Sequence, residues 1–319
     1  MLDNYVPVMR AVQLCRFGDP DVLEVVTVPV PEPGPGEVRI RVEAATVNPT
    51  DLLTRSGYRG KVTKDIELPI VLGMEVAGVV DAVGAGATWS VGDRVMAVTL
   101  PFGPNGGGYA EQVIVGSDMV GLAPSGVSAA AAAGLPMNGL TAVVTMDVLG
   151  LEAGQTLAVT GAAGCVGGYV VQLAKARGLR VIADAADSDR ELVRGLGADE
   201  VVARGRDVAA AIRALVPDGV PVLVDASIQH GEVVPAIADG GLLVLMRDWE
   251  EDPPRGVVKR FVTVMEGVGR PELLDELRKA VETGVLTPRV AHTFPAEQAP
   301  EAHRTLARGG VRGRIVLTF

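Results

Sequence analysis

The sequence predicts an α/β chain: a doubly wound parallel sheet accompanied by a β-rich, barrel-like domain. Three observations carry this. Thr156-Leu-Ala-Val-Thr160 is a short apolar run with β-branched residues. It leads through the turn Gly161-Ala-Ala-Gly164-Cys-Val-Gly167 into apolar residues at helical spacing, Val170, Val171, Leu173 and Ala174. Further β-like runs follow at Arg180–Ala183, Glu200–Ala203, Pro221–Val224 and Leu242–Met246, alternating with helical stretches such as Arg190–Leu196 and Val208–Leu215. Residues from Met9 to about 125 hold instead many short strands punctuated by Gly and Pro.

In chain order, residues 1–8 precede the regular pattern as a short extension. Arg10–Leu14 and Leu23–Val28 read as strands about the turn Gly18-Asp-Pro20. The segment PVPEPGPGE is rigid punctuation before the alternating strand Val38–Val42. Asn48-Pro-Thr-Asp51 starts a short helix to Arg55, with Asp51 in its first turn. Strands follow at 73–80 and Asp93–Thr99, then a glycine-rich loop at Gly103–Gly108 and the run Tyr109–Val115. Ser128–Gly134 is alanine-rich and helical, and Leu140–Leu149 gives a second helix. After Met246 come a charged loop, Arg247–Arg255, and the β-like run Val257–Val264. The helix Leu273–Val281, the strand Val290–Phe294, the helix Ala296–Leu306 and the run Arg314–Phe319 close the chain.

The strand–turn–helix at 156–175 has the form of the opening of a dinucleotide-binding βαβ unit. Gly164 and Gly167 let backbone approach a pyrophosphate and let the helix pack against the strand. The helix N-terminus offers free N–H groups to phosphate charge. Asp184 ends the next strand, close to the spacing of a ribose-binding acid. A tight turn without a ligand uses the same glycines; the succession of alternating units is what favours a nucleotide site.

Composition narrows the class. The chain has 319 residues, which favours two domains, and 48% hydrophobic content, enough for a large core. A net charge of −10 argues against nucleic-acid or anionic-membrane partners. Two cysteines, Cys15 and Cys165, form no paired framework, which suits a reducing cytoplasm. No charged-apolar-small leader opens the sequence, and no apolar run is long enough to span a bilayer.

The order of parts resembles the medium-chain dehydrogenase/reductase superfamily, in its zinc-independent quinone oxidoreductase branch. The resemblance runs from Met9 nearly to the end. It rests on GEVRIRVEAATVNPTD at 36–51, LGMEVAGVVDAVG at 72–84, VGDRV at 91–95 and GGYAE at 107–111. It continues in LPMNGLTA at 135–142, VTGAAGCVGG at 159–168, LGADEVV at 196–202 and RGRIVL at 312–317. It implies a Rossmann-type doubly wound parallel sheet, residues 126–266, inserted into a GroES-like β-rich domain of residues 1–125 and 267–319. It also implies a homodimer built through the edge strand around Val257–Val264.

The resemblance implies site residues as well. Zinc alcohol dehydrogenases carry ligands where this chain has Asn48 and Met74, and near Met137 and Asn138. Their cysteine-rich structural lobe would fall near 98–110, which has no cysteine. Glu75 alone does not make a metal site, and the three histidines, His230, His292 and His303, are expected at the surface or in loops, so no zinc is expected. Without a metal, the expected reaction is hydride transfer to an already polarised acceptor, a quinone or enone. Asn48 is the expected contact beside nicotinamide and substrate, a helix-capping role being its alternative. Tyr58 is a candidate proton donor, with water as the alternative, and Tyr109 is expected to pack with its hydroxyl satisfied. Cofactor contacts are implied at Asn48, Thr141, Ala163, Gly164, Cys165, Val166, Asp184, Ala185, Arg190, Arg204, Ala226, Ser227, Met246 and Arg247.

The choice between NADPH and NADH is open in the residues. Asp184 repels a 2′-phosphate if it occupies the ribose position, whereas Arg190 and Arg204 would attract one. The branch favours NADPH, and NADH is the alternative. The expected function is therefore an NADPH-dependent reductase of a small-molecule hydride acceptor. A zinc-independent carbonyl or alcohol dehydrogenase and a non-catalytic nucleotide-binding protein are the competing readings.

Overall fold

Buried residues fall at every second position of Glu37–Val47, where Val38, Ile40 and Val42 are each at most 2% exposed, so one face of this strand belongs to a core. The computed structural model describes residues 6–58 and 66–319. The expected extension over residues 1–8 lies largely outside them. The first part contains β1 (Val8–Leu14), β2 (Leu23–Pro29), β3 (Glu37–Val47), α1 (Pro49–Arg55), β4 (Ile70–Val71) and β5 (Glu75–Val83). It continues with β6 (Arg94–Val98), β7 (Gln112–Gly116), β8 (Val120–Leu122) and α2 (Ala129–Ala133). The middle contains α3 (Pro136–Val148), β9 (Thr156–Thr160), α4 (Cys165–Ala176), β10 (Arg180–Ala185), α5 (Arg190–Gly195) and β11 (Glu200–Ala203). After these come α6 (Val208–Leu215), β12 (Val220–Asp225), β13 (Ile237–Leu245) and β14 (Val258–Phe261). The chain ends in α7 (Pro271–Glu282), β15 (Val290–Pro295), α8 (Ala299–Arg308) and β16 (Arg314–Thr318).

Two units result. One takes the chain up to Met137 together with Val268–Glu282 and Pro288–Phe319; the other takes Asn138–Gly267 with Thr283–Thr287. Residues up to Met137 go with the first unit in this division, and α2 packs on its β3 and β5.

The first unit is a largely antiparallel sheet in the order β15-β16-β3-β5-β6-β8, with β7 also on β3, plus the small sheet β2-β1-β4. Its core gathers Leu14, Ile40, Leu72, Val76, Val80 and Tyr109, all fully buried.

The second unit is a sheet in the order β11-β10-β9-β12-β13-β14, with every pairing parallel. Leu157, Ala158 and Val159 of β9 are buried without alternation, as befits a strand covered on both faces. The strand order reverses between β9 and β12. That is the switch point outside whose carboxyl ends ligands bind in such sheets.

Several elements differ from the expected ones. α4 begins at Cys165 rather than Tyr169, since the glycines of its first turn hide the helical periodicity. α3 begins at Pro136, a residue suited to a first helical turn. The β-run after the charged loop shrinks to β14, and Tyr109 lies outside β7, with Ala110 making a single bridge to Ala11. The last helix is delayed to Ala299 by a short 3₁₀ turn, Ala296–Gln298.

Candidate active site

In the second unit, β9 enters a turn whose first position admits only glycine. Gly161 has φ +74°, and a Cβ there would stand 2.6 Å from the Ala226 carbonyl oxygen. Gly167 in the first turn of α4 is equally close-packed, since its Cβ would lie 2.4 Å from the Gly161 oxygen. Gly164 is the N-cap of α4. The first turn of a 12-residue helix therefore starts at the carboxyl end of β9, and its N–H groups lie outside the helix's own ladder. The glycines of this turn are thus required by close backbone packing, and the N–H groups of the first helical turn are of the kind that meet a phosphate.

Asp184 stiffens the turn. Only 3% exposed, it accepts the Gly161 N–H at 2.6 Å and the Ala162 N–H at 3.3 Å through Oδ1. Burial raises its pKa, and the two backbone donors oppose the rise. At the end of β12, Asp225 plays a parallel part. It takes the Thr160 hydroxyl at 2.9 Å, the Ser227 N–H at 3.1 Å and the His230 N–H at 2.7 Å.

The expected cofactor residues of this unit fall mostly at the carboxyl end of its sheet. Ala163, Gly164, Cys165 and Val166 follow β9, and Asp184 and Ala185 end β10. Arg204 follows β11, Ala226 and Ser227 follow β12, and Met246 and Arg247 follow β13. Thr141 lies on α3 instead. Arg190 is engaged with Asp187 at 3.0 Å and with the Val201 carbonyl at 2.9 Å, whereas Arg204 is exposed.

The first unit holds a buried polar cluster around Asn48, the N-cap of α1. Glu75 is fully buried and Arg314 is 6% exposed, and the two form an ion pair. Arg314 Nη2 also reaches Thr46 Oγ1 at 2.6 Å and Asn48 Oδ1 at 2.8 Å. The Asn48 amide turns back to Thr46 and Glu75, each at 3.3 Å, and the Met137 N–H donates to Glu75 Oε2 at 2.7 Å. Asn48 therefore caps α1 with its backbone while its amide is oriented by charge.

A second network stands against the first. Asp51 accepts the Asn48 N–H at 2.8 Å and the Gly73 N–H at 3.1 Å. The Tyr109 hydroxyl lies 3.3 Å from both Asp51 Oδ2 and His303 Nε2. Burial, partly offset by the Asn48 and Gly73 donors, pushes the Asp51 carboxyl up to about 6. Burial, with Asp51 alongside, raises the Tyr109 phenol well above its ordinary value. Burial, with Arg55 nearby, lowers His303 to about 3. With the phenol proton directed at Asp51, His303 donates from Nε2, and its buried Nδ1 has no partner among the described residues.

His303 corrects one expectation: it is 0% exposed, not a surface histidine, because it lies on the buried face of the amphipathic helix α8. Tyr109 is packed with its hydroxyl satisfied, as expected. Tyr58 is 77% exposed, so its phenol is not held in the buried cluster that orients Asn48. Thr46, Arg314, Asp51 and His303 were not singled out from sequence as site residues. Arg314 and Glu75 are 239 positions apart, and no local pattern pairs them.

Two family models match, the alcohol dehydrogenase GroES-like domain over residues 34–125 and the zinc-binding dehydrogenase domain over residues 196–317. The NADPH-dependent alkenal/one oxidoreductase of Arabidopsis thaliana is 32% identical, over 97% of this chain and 79% of its own. The quinone oxidoreductase of Sus scrofa is 29% identical over 97% of both. A mycobacterial protein solved in complex with NADPH superposes with a TM-score of 0.86 at 30% identity, covering 98% of this chain and all of that one.

The chain belongs to the medium-chain dehydrogenase/reductase superfamily. Within it the chain is of the quinone oxidoreductase branch, and it is an NAD(P)H oxidoreductase. Among the described residues no group of three or more His, Cys, Asp or Glu stands together to hold a metal, and the Glu75 carboxylate is already committed to Arg314.

Proposed function

We propose that this superfamily member is an NADPH-dependent, zinc-independent reductase of quinones or activated alkenes, with NADH as the alternative donor. The observation that carries the reading is the close-packed glycine turn at the switch point, buttressed by Asp184 and leading into the first turn of α4 at the carboxyl end of the sheet. The name of the Arabidopsis relative and the NADPH complex of the mycobacterial neighbour support the choice of cofactor and acceptor. When bound, the cofactor supplies the hydride. The N–H groups of the first turn of α4 meet its phosphates, Gly161 and Gly167 let the turn pack closely, Asp184 holds the turn rigid, and Arg204 is an exposed cation available to a 2′-phosphate. Asn48, its amide fixed by Arg314, is the polar group assigned to the acceptor side.

The test is steady-state NADPH oxidation against a panel of quinones, enones and saturated ketones. Turnover confined to quinones or enones supports the reading. Turnover of simple ketones alone would favour the carbonyl reductase instead.

We also propose a homodimer formed through β14 and a cytoplasmic location. β14 pairs only with β13 and is an edge, with Val258 57% exposed. Light scattering at micromolar concentration should give twice the chain mass. Both cysteines are free, which suits a reducing compartment, and no described helix is long and apolar enough to cross a membrane.

A further inference from the structure

Just beyond β12 the backbone adopts a conformation that its residues resist. Ile228 has φ +62° and His230 φ +51°; apart from Arg255 they are the only non-glycine residues with positive φ among the described residues. A β-branched residue in the left-handed region is an outlier, and glycine would occupy the position without strain.

The surroundings impose the conformation. Asp225 holds the loop at both ends, taking the Ser227 hydroxyl at 2.9 Å and the His230 N–H at 2.7 Å. Gln229 donates to the Ser227 hydroxyl at 2.9 Å. The His230 ring stacks on Trp249, with centroids 5.9 Å apart and planes within 10°. Ile228 itself is 42% exposed, so its side chain is not needed to fill the core.

Its place gives it a use. The loop abuts the phosphate turn: Ala226 N–H donates to Thr160 O at 3.1 Å, and a Cβ on Gly161 would meet both Ala226 and Ser227. The ribose-binding acid position lies on the β10 side of the switch point, so the adenosine half of a dinucleotide runs that way. The nicotinamide half then runs over the β12 side, where Ile228 stands.

We propose that Ile228 is a positioning residue for the nicotinamide ring, an apolar wall held in a strained conformation beside the phosphate turn. Strain stored beside a ligand crevice and clamped by hydrogen bonds is what such a wall requires. The inference rests on the dinucleotide reading above and adds to it the residue that fixes the ring.

The experiment compares the parent with Ile228→Gly and Ile228→Val. The measurements are thermal melting, calorimetric NADPH affinity, and single-turnover hydride transfer to a quinone at saturating NADPH. The glycine variant should melt higher than the parent, bind NADPH within about threefold and transfer hydride about tenfold or more slower. The valine variant should stay within about threefold of the parent rate. Parental transfer by the glycine variant would overturn the proposal. So would a valine variant as slow as the glycine one, or a loss of NADPH affinity in the glycine variant large enough to account for the slower transfer. If the parent itself fails to bind NADPH, the dinucleotide reading falls first, and the proposal with it.

Discussion

The Glu75 carboxylate and the Arg314 guanidinium meet inside the first unit with almost no solvent on either side, Glu75 from β5 and Arg314 from β16. Each is the other's counter-charge, and both orient Asn48. Arg314→Met leaves a buried carboxylate without its cation and should destabilise the protein by about 3–5 kcal/mol. Adding Glu75→Leu should recover much of that loss, since an apolar pair of similar size carries no desolvation cost. Urea unfolding of the three variants checks this; a double variant no more stable than Arg314→Met contradicts it.

Asp51 and His303 give opposite pH dependences. Asp51 stands at about 6 against an ordinary 3.8, so the folded state holds its proton longer. Its contribution to stability is full below about pH 4 and is lost as pH rises through 6, about 3 kcal/mol in all. His303 stands at about 3 against 6.5, so the unfolded state takes its proton first, and stability falls as pH drops from 6.5 towards 3. Asp51→Asn should therefore gain on the parent as pH rises from 4 to 7, and His303→Leu should gain on it as pH falls from 7 to 4. Melting temperatures across that range decide it, and curves parallel to the parent's would refute the assignment.

The fold was legible wherever burial leaves a local period. β9, β11, β12 and α6 lie close to the runs expected from apolar spacing. Ends were harder to place, because the glycines opening α4 and the 3₁₀ turn before α8 carry no apolar rhythm. At the site, the glycine turn and Asn48 could be located because their chemistry depends on neighbouring positions. The Arg314–Glu75 pair and the Asp51–Tyr109–His303 network could not, since each joins distant strands and helices by burial alone. His303 shows the cost: a histidine on the buried face of a short amphipathic helix looks, in sequence, like one on the outer face.

Cofactor preference should respond differently to two substitutions. Asp184 spends its Oδ1 on the glycine turn, so Asp184→Ala should weaken NADPH and NADH alike, by about tenfold for the loss of a charged acceptor. Arg204→Ala should weaken NADPH by roughly 10–100-fold and leave NADH within about twofold. Calorimetric titration of both cofactors into both variants checks it. NADPH binding unchanged by Arg204→Ala would remove Arg204 from the 2′-phosphate.

The central claim is hydride transfer to a polarised acceptor without a metal. Its most direct measurement is stopped-flow mixing of the protein, dialysed against a strong chelator, with NADPH and a quinone, using unlabelled NADPH and NADPH deuterated at the transferred position. NADPH absorbance should fall rapidly only when the quinone is present, slowed at least about twofold by deuterium at one C4 position and unchanged by added zinc. NADPH that binds but is not consumed, or turnover that appears only when zinc is restored, would contradict it.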